Sequence, residues 1–200
     1  MGLVLDALND SLTDFVTRQK LFFVATAPSG DGGHVNVSPK GLEGSSVVID
    51  QRTVAYVDLG GSGIETTAHL RDNGRITLMF CAFDGKPLIV LLYGRGETLL
   101  PADADFGTLR PAFRHDPRVV RSIIRVAVDR VTTSCGYAVP FMDYAGDRST
   151  LVDRIERKAP EDFAERWAGG NAASIDGLPG LDYDAEGAVA AAARQLSPQP

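Results

Sequence analysis

Residues 76–98, ITLMFCAFDGKPLIVLLYGRGET, are two apolar runs joined by a turn, and their reading decides the fold class. Ile76 to Phe83 and Leu88 to Thr98 are rich in β-branched, aromatic and leucine side chains. Asp84-Gly85-Lys86-Pro87 between them is made of residues that tight turns require. Two such runs about a short turn form an antiparallel hairpin. Within the second run, Tyr93-Gly94-Arg95-Gly96-Glu97 reads as a strand bend, because glycine in a strand interior marks a break in the regular ladder.

Outward from this hairpin the same pattern recurs. Leu21 to Ala27 and His34 to Ser38 are strands about the turn Pro28 to Gly33, and Val47 to Asp50 and Thr53 to Leu59 flank a tight turn at Gln51-Arg52. Arg125 to Thr133 alternates apolar and polar residues, with a one-residue slip that reads as a bulge. Six or seven short strands with few helices between them predict a mainly β protein with peripheral helices, built as an antiparallel barrel. A doubly wound parallel sheet would need a helix after nearly every strand. An amphipathic helix is predicted over residues 4–18, on the stripe Leu5, Leu8, Leu12, Phe15 and Val16. Further helices are predicted over Ser62 to Asn73, Asp103 to Arg114, and Thr150 to Trp167 with a break at Pro160; Asp184 to Leu196 reads as a weaker one. The organisation that follows is a barrel domain over residues 1–140 and a helical extension of the same domain over residues 141–200, with a disordered tail at 197–200.

At 200 residues and 44% hydrophobic content the chain can build one good core. Its apolar runs are too short to cross a bilayer as helices, and the N-terminus lacks the basic start of a signal peptide, so a cytoplasmic location is expected. The net charge of −6 argues against nucleic acid as the main partner. One basic cluster stands out: Arg110, Arg114, Arg118, Arg121 and Arg125. Interleaved with Asp103, Asp105 and Asp116, it reads as a solvated face. Cys81 and Cys135 have neither CxxC spacing nor a nearby histidine, so neither a disulfide nor a zinc site is expected.

Two segments carry chemistry. Leu59 to Leu70, LGGSGIETTAHL, passes from a buried strand through a glycine turn into a helix; Ser62 and Glu65 have capping-box spacing, with Ser62 as N-cap. A helix start after a glycine turn offers free N–H groups to an anion such as phosphate. His34 to Gly41, HVNVSPKG, places Asn36 and Ser38 on one strand face and Val35 and Val37 on the other, with Lys40 just past the strand end. Lys40 and the helix start can converge on one anion. A third segment, Ser134 to Phe141 (SCGYAVPF), reads as an irregular turn whose aromatics either pack or face a partner. There is no nucleophile elbow, phosphate loop, zinc-binding HExxH or dinucleotide fingerprint, and His34, His69 and His115 are scattered. Enzymatic chemistry would therefore come from a bound organic cofactor.

The order of LFFVATA, HVNVSPKG, VAYVDLGGSGIETTAHLRDNGRITLMFCAF and LLYGRGE resembles the pyridoxamine 5′-phosphate oxidase-like family of FMN-binding split barrels, over residues 15 to about 135. The resemblance implies a six-stranded antiparallel split barrel, a homodimer, and one FMN at each of two interface sites. It implies that Asn36, Val37, Ser38 and Lys40 line the cofactor and reach its phosphate, that Tyr56, Val57 and Asp58 lie against it, and that Ser62, Gly63, Glu65 and Thr66 cradle the phosphate. Pyridoxamine phosphate oxidases carry an Arg-Lys pair in that turn where this chain has Gly63-Ile64-Glu65, which points away from vitamin B6 as substrate. The expectation is an FMN-dependent oxidoreductase acting on a small molecule. The alternatives are a reductase using the deazaflavin F420, and a non-catalytic dimer that binds flavin or haem through His69 or His115.

Overall fold

The computed structural model describes residues 2–61, 63–115, 120–157 and 170–181. Eight strands form one antiparallel sheet: β1 (Val4–Leu5), β2 (Phe22–Thr26), β3 (Asn36–Lys40), β4 (Ser46–Asp50), β5 (Thr53–Leu59), β6 (Arg75–Cys81), β7 (Ile89–Leu99) and β8 (Val120–Ser134). The helices are α1 (Asp10–Arg18), α2 (Glu65–Asn73), α3 (Ala104–Leu109) and α4 (Thr150–Glu156). The sheet order is β3-β2-β6-β7-β8-β5-β4, with β1 pairing on β8, so the edge strands β3 and β4 do not pair with each other.

The sheet nevertheless curls onto itself. Phe22 of β2 meets the Tyr56 ring of β5 edge-on at 5.5 Å and stacks on Phe80 of β6 at 5.2 Å, although β2 and β5 lie near opposite ends of the strand order. Alternation explains the closure. Val24, Leu78, Leu92, Val54, Ile124 and their inward neighbours form one core, closed at one end by Leu12, Phe15 and Val16 of α1. A second cluster lies around Ala55, Val57 and Ile123, beneath Phe106 of α3, and Leu151 of α4 packs on it.

The predicted hairpin is β6–β7, and the predicted slip is present. Tyr93 faces Arg130 and Gly94 faces Val128, leaving Asp129 as the extra residue of a bulge. A Cβ at Gly94 would overlap the Ala127 carbonyl oxygen, so this bend requires glycine. Three boundaries differ from expectation. The N-terminal helix starts at Asp10, not at residue 4: Asn9 accepts from the Leu12 N–H at 2.9 Å, and Val4 and Leu5 pair with Thr132 and Val131 instead. The second strand is shifted to Asn36–Lys40, which brings Lys40 into the ladder opposite Phe22. The last strand begins five residues earlier than predicted, at Val120, because the apolar run through Ile123 and Ile124 is buried on both faces. The predicted helix break at Pro160, the weaker helix predicted over Asp184 to Leu196 and the tail 197–200 lie outside the described residues.

Candidate functional site

β3 is an edge strand with two different faces. Its alternation turns Asn36, Ser38 and Lys40 inward and leaves Val37 and Pro39 exposed. The inward residues enter two networks that share the strand but not the chemistry.

The first is ionic. The Lys40 ammonium donates to Asp58 Oδ1 of β5 at 3.1 Å. Arg121 of β8 donates to Asp58 Oδ2 through Nε at 2.9 Å and Nη2 at 2.6 Å. Through Nη1 the same guanidinium holds the Gly63 carbonyl at 3.0 Å and Asn171 Oδ1 at 2.7 Å. Arg121 is 4% exposed and Asp58 2%, so the pair is out of water. Burial is the largest influence on the Asp58 carboxyl and pushes its pKa up. Arg121 and then Lys40 outweigh burial and hold it below the ordinary carboxylate value. Two cations thus share one carboxylate, and the network keeps a net positive charge that reaches the surface along Lys40. The Lys40 ammonium also sits 5.9 Å from the Tyr56 ring centre. Burial first, then the Asp58 charge, raises the Tyr56 pKa well above its ordinary value, so this phenol stays protonated. Its hydroxyl has no hydrogen-bond partner among the described residues.

The second network is neutral. Ser38 Oγ donates to Asn36 Oδ1 at 3.0 Å, and Asn36 Nδ2 donates to Thr66 Oγ1 at 3.0 Å and Thr26 Oγ1 at 3.1 Å. Thr26 Oγ1 lies 3.0 Å from Nδ1 of the buried His69. Burial, the largest influence, depresses the His69 pKa and keeps the ring uncharged.

The turn between β5 and α2 differs from the predicted capping box. The helix begins at Glu65 with Ile64 in the cap position and no side-chain cap; Ser62 lies outside the described residues. The Glu65 carboxylate folds back against Gly63, where a Cβ would collide with it. The arginine cluster read as a solvated face is divided among separate partners. Arg121 is consumed by Asp58, Arg125 pairs with Glu97 at 2.7 Å and Asp105 at 2.8 Å, and Arg110 donates to the Phe113 and His115 carbonyls; Arg118 lies outside the described residues. Arg121 was legible as an exception: an arginine in a strand as apolar as Val120 to Val128 demands a buried partner.

Lys40 opens into a cleft of about 730 Å³ between the end of β3, β5 and the segment from Tyr144 to Arg154. Pro39, Leu42, Val57, Leu59 and Leu151 give it an apolar wall, and its charged lining is the cations Lys20, Lys40, Arg148 and Arg154 with one carboxylate, Asp147. The 144–154 segment is pinned in place. Asp147 accepts from the Glu43 N–H at 2.9 Å and from the Tyr144 hydroxyl, and the Tyr144 ring lies 5.5 Å from the Lys20 ammonium. Such a cleft can take a ligand with an apolar face and an anionic end. Of the predicted site residues, Lys40 and Val57 line it directly. Asn36, Val37, Ser38, Tyr56, Asp58, Gly63, Glu65 and Thr66 do not line it: Asp58 and Tyr56 meet Lys40, Asn36, Ser38 and Thr66 belong to the neutral network, Val37 is exposed, and Gly63, against which Glu65 folds, meets Arg121. Lys20, Arg121, Arg148 and Asn171 were not anticipated. No group of three or more metal-ligating side chains occurs among the described residues, and no described helix is long and apolar enough to cross a membrane.

Comparison with known proteins bears on the whole of this region. The sequence model of the Pyridoxamine 5′-phosphate oxidase family matches residues 8–135. The Pyridoxamine 5′-phosphate oxidase family protein ustO of Aspergillus flavus is 38% identical over 199 residues, covering 90% of this chain and 78% of that protein. Among solved structures, HupZ of Group A Streptococcus is 22% identical with a TM-score of 0.47, covering 62% of this chain and 91% of that one. The FAD binding protein of Mycobacterium smegmatis is 16% identical with a TM-score of 0.45, covering 65% and 97%.

Proposed function

Since the chain belongs to the pyridoxamine 5′-phosphate oxidase family, we propose that it is a flavin-dependent oxidoreductase that holds FMN in the cleft at the end of β3 and acts on a small molecule. The observation that carries this reading is the uneven ionic network: Lys40 and Arg121 share the single carboxylate of Asp58, so the cleft floor carries a fixed positive charge in a protein of net charge −6. The residues present fit the group. A cleft of about 730 Å³ lies within the range of roughly 300–1,000 Å³ usual for small-molecule sites. Lys40 and Lys20 would hold the phosphate, while Pro39, Val57 and Leu59 would form the apolar wall against the ring. Asn36, Val37 and Ser38 set the strand from which Lys40 projects. Tyr56 and Asp58 fix the ammonium, and Gly63, Glu65 and Thr66 belong to the turn and helix start beside Arg121; Ser62, assigned to the same turn by the resemblance, lies outside the described residues. When bound, FMN supplies hydride and electron transfer; the chain binds it, orients it and excludes water.

Absorbance titration of the purified protein with FMN tests the proposal. Shifted flavin bands that saturate support it, and free-flavin spectra throughout reject it. F420, the alternative, is titrated in the same way. Haem is disfavoured because no histidine is among the described residues that line the cleft.

The site is proposed to work as a homodimer. On the sheet face opposite the core, Pro39, Phe23, Met79 and Leu91 stand side by side in register across four strands, and exposed Val37 and Val35 extend this apolar face to the open edge. Sedimentation equilibrium should return about twice the 21.3 kDa chain mass; a monomer at micromolar concentration removes the two-chain site.

A further inference from the structure

The cleft has a second wall whose charges the cofactor reading does not use. It comes from the segment Tyr144 to Arg154, beyond the stretch matched by the family model, which ends at residue 135. Its acids are committed within the chain: Asp147 accepts from the Glu43 N–H and from Tyr144, and Asp153 accepts from Ser149 Oγ at 2.9 Å. Its cations are not. Arg148 and Arg154 both line the cleft, both are exposed, and neither has an ion-pair or hydrogen-bond partner among the described residues. On the opposite wall Lys20 lies 3.6 Å from Glu43 and Lys40 is bonded to Asp58. Arg148 and Arg154 are therefore the uncommitted cations of the cleft, on a wall held in place by Leu151 in the second core cluster and by the Asp147 contacts.

Two arginines facing an apolar wall suit a planar anion that a guanidinium can grip with two parallel hydrogen bonds. We propose that this wall is a carboxylate-binding rim, and that the molecule acted on in the cleft is a small organic acid whose carboxylate is received by Arg148 and Arg154. The inference rests on the flavin reading for the nature of the site, but its geometry belongs to the extension alone. A carboxylate could also belong to the polyglutamate tail of F420, which offers the same chemistry from a different source.

The test is calorimetric. Benzoate and its uncharged analogue benzamide are titrated into the full-length protein, with and without saturating FMN, and into the Arg148→Ala/Arg154→Ala double variant. FMN is titrated separately into both proteins. The expected result is benzoate binding about tenfold or more tighter than benzamide, a preference lost in the double variant while FMN affinity changes by less than about twofold. Equal binding of the two compounds, or a preference that survives in the double variant, overturns the inference. A parallel loss of FMN affinity also overturns it, since the arginines would then hold the cofactor. If FMN fails to bind the wild-type protein, the function proposed above falls, while the benzoate series without FMN still decides the rim. Titration of F420 and of its tail-less deazaflavin core assigns the source: a tail-dependent gain in affinity that the double variant loses overturns the substrate assignment.

Discussion

At its Lys40 end β3 is anchored by charge, and at its Asn36 end, four residues away, by neutral hydrogen bonds. The ionic end ties Lys40, Asp58 and Arg121 to the Gly63 carbonyl and Asn171. The neutral end ties Ser38, Asn36 and Thr26 to Thr66 and His69 of α2. Both hold an edge strand that lacks a second neighbour. Only the ionic end leaves a charge in excess, and only it opens into the cleft. A buried charge is retained at a desolvation cost that hydrogen bonds between neutral groups do not carry. Its presence at the cleft end and not at the other is the reason we propose Lys40 for binding and Asn36 for positioning the strand.

Breaking the ionic end should have the largest effect. Asp58→Asn leaves the Arg121 guanidinium buried without a counter-charge, and unfolding in urea should show a loss of about 3–5 kcal/mol. Lys40→Ala separates binding from folding. Arg121 still neutralises Asp58, so stability should change little, whereas FMN affinity should weaken by about 1–3 kcal/mol in a fluorescence titration. Unchanged affinity would take Lys40 out of the site. At the neutral end, Thr26→Val strands His69 Nδ1 and one Asn36 proton, at about 1–3 kcal/mol by the same urea measurement, with flavin affinity following stability and not exceeding it.

The two ends should also fail at different pH. His69 has a depressed pKa in the folded protein, so the unfolded chain takes up the proton first. Its contribution is complete above about pH 6.5 and declines as pH falls below that value. Asp58 has a depressed carboxyl pKa, so its contribution is complete above about pH 4 and declines only as pH falls through its folded value. Urea midpoints between about pH 7.5 and 5 should therefore drop in the wild type and drop less in His69→Gln, with Asp58 silent in that window. The smallest effect is expected outside both networks. Glu97→Ala removes an exposed partner of Arg125, which keeps Asp105, and should cost under about 1 kcal/mol.

Much of this was legible in local pattern. The strands around Gln51-Arg52 and Asp84 to Pro87, the bulge near Gly94 and the two-faced character of β3 follow from alternation and turn residues, which act over a few positions. Boundaries set by competition were less legible. Residues 4–8 carry a helical stripe, yet Val4 and Leu5 complete the ladder beside β8, a partner about 127 positions away in the chain. Ser62 and Glu65 have the spacing of a capping box, but the helix opens at Glu65 with Ile64 in the cap position, the Glu65 side chain folds over Gly63 and Arg121 holds the Gly63 carbonyl.

The sequence by itself determined the strand order along the chain, the shared strand face of Asn36 and Ser38, and the family, because each rests on periodicity or motif within short windows. Only the tertiary structure decided that Lys40 meets Asp58 and Arg121, that Arg121 is a buried cation rather than part of a solvated arginine face, and that the 144–154 segment forms a cleft wall. The physical reason is that ion pairing and cleft formation depend on distances between residues 18, 63 and more than 100 positions apart, which the curl of the sheet sets and no local pattern encodes.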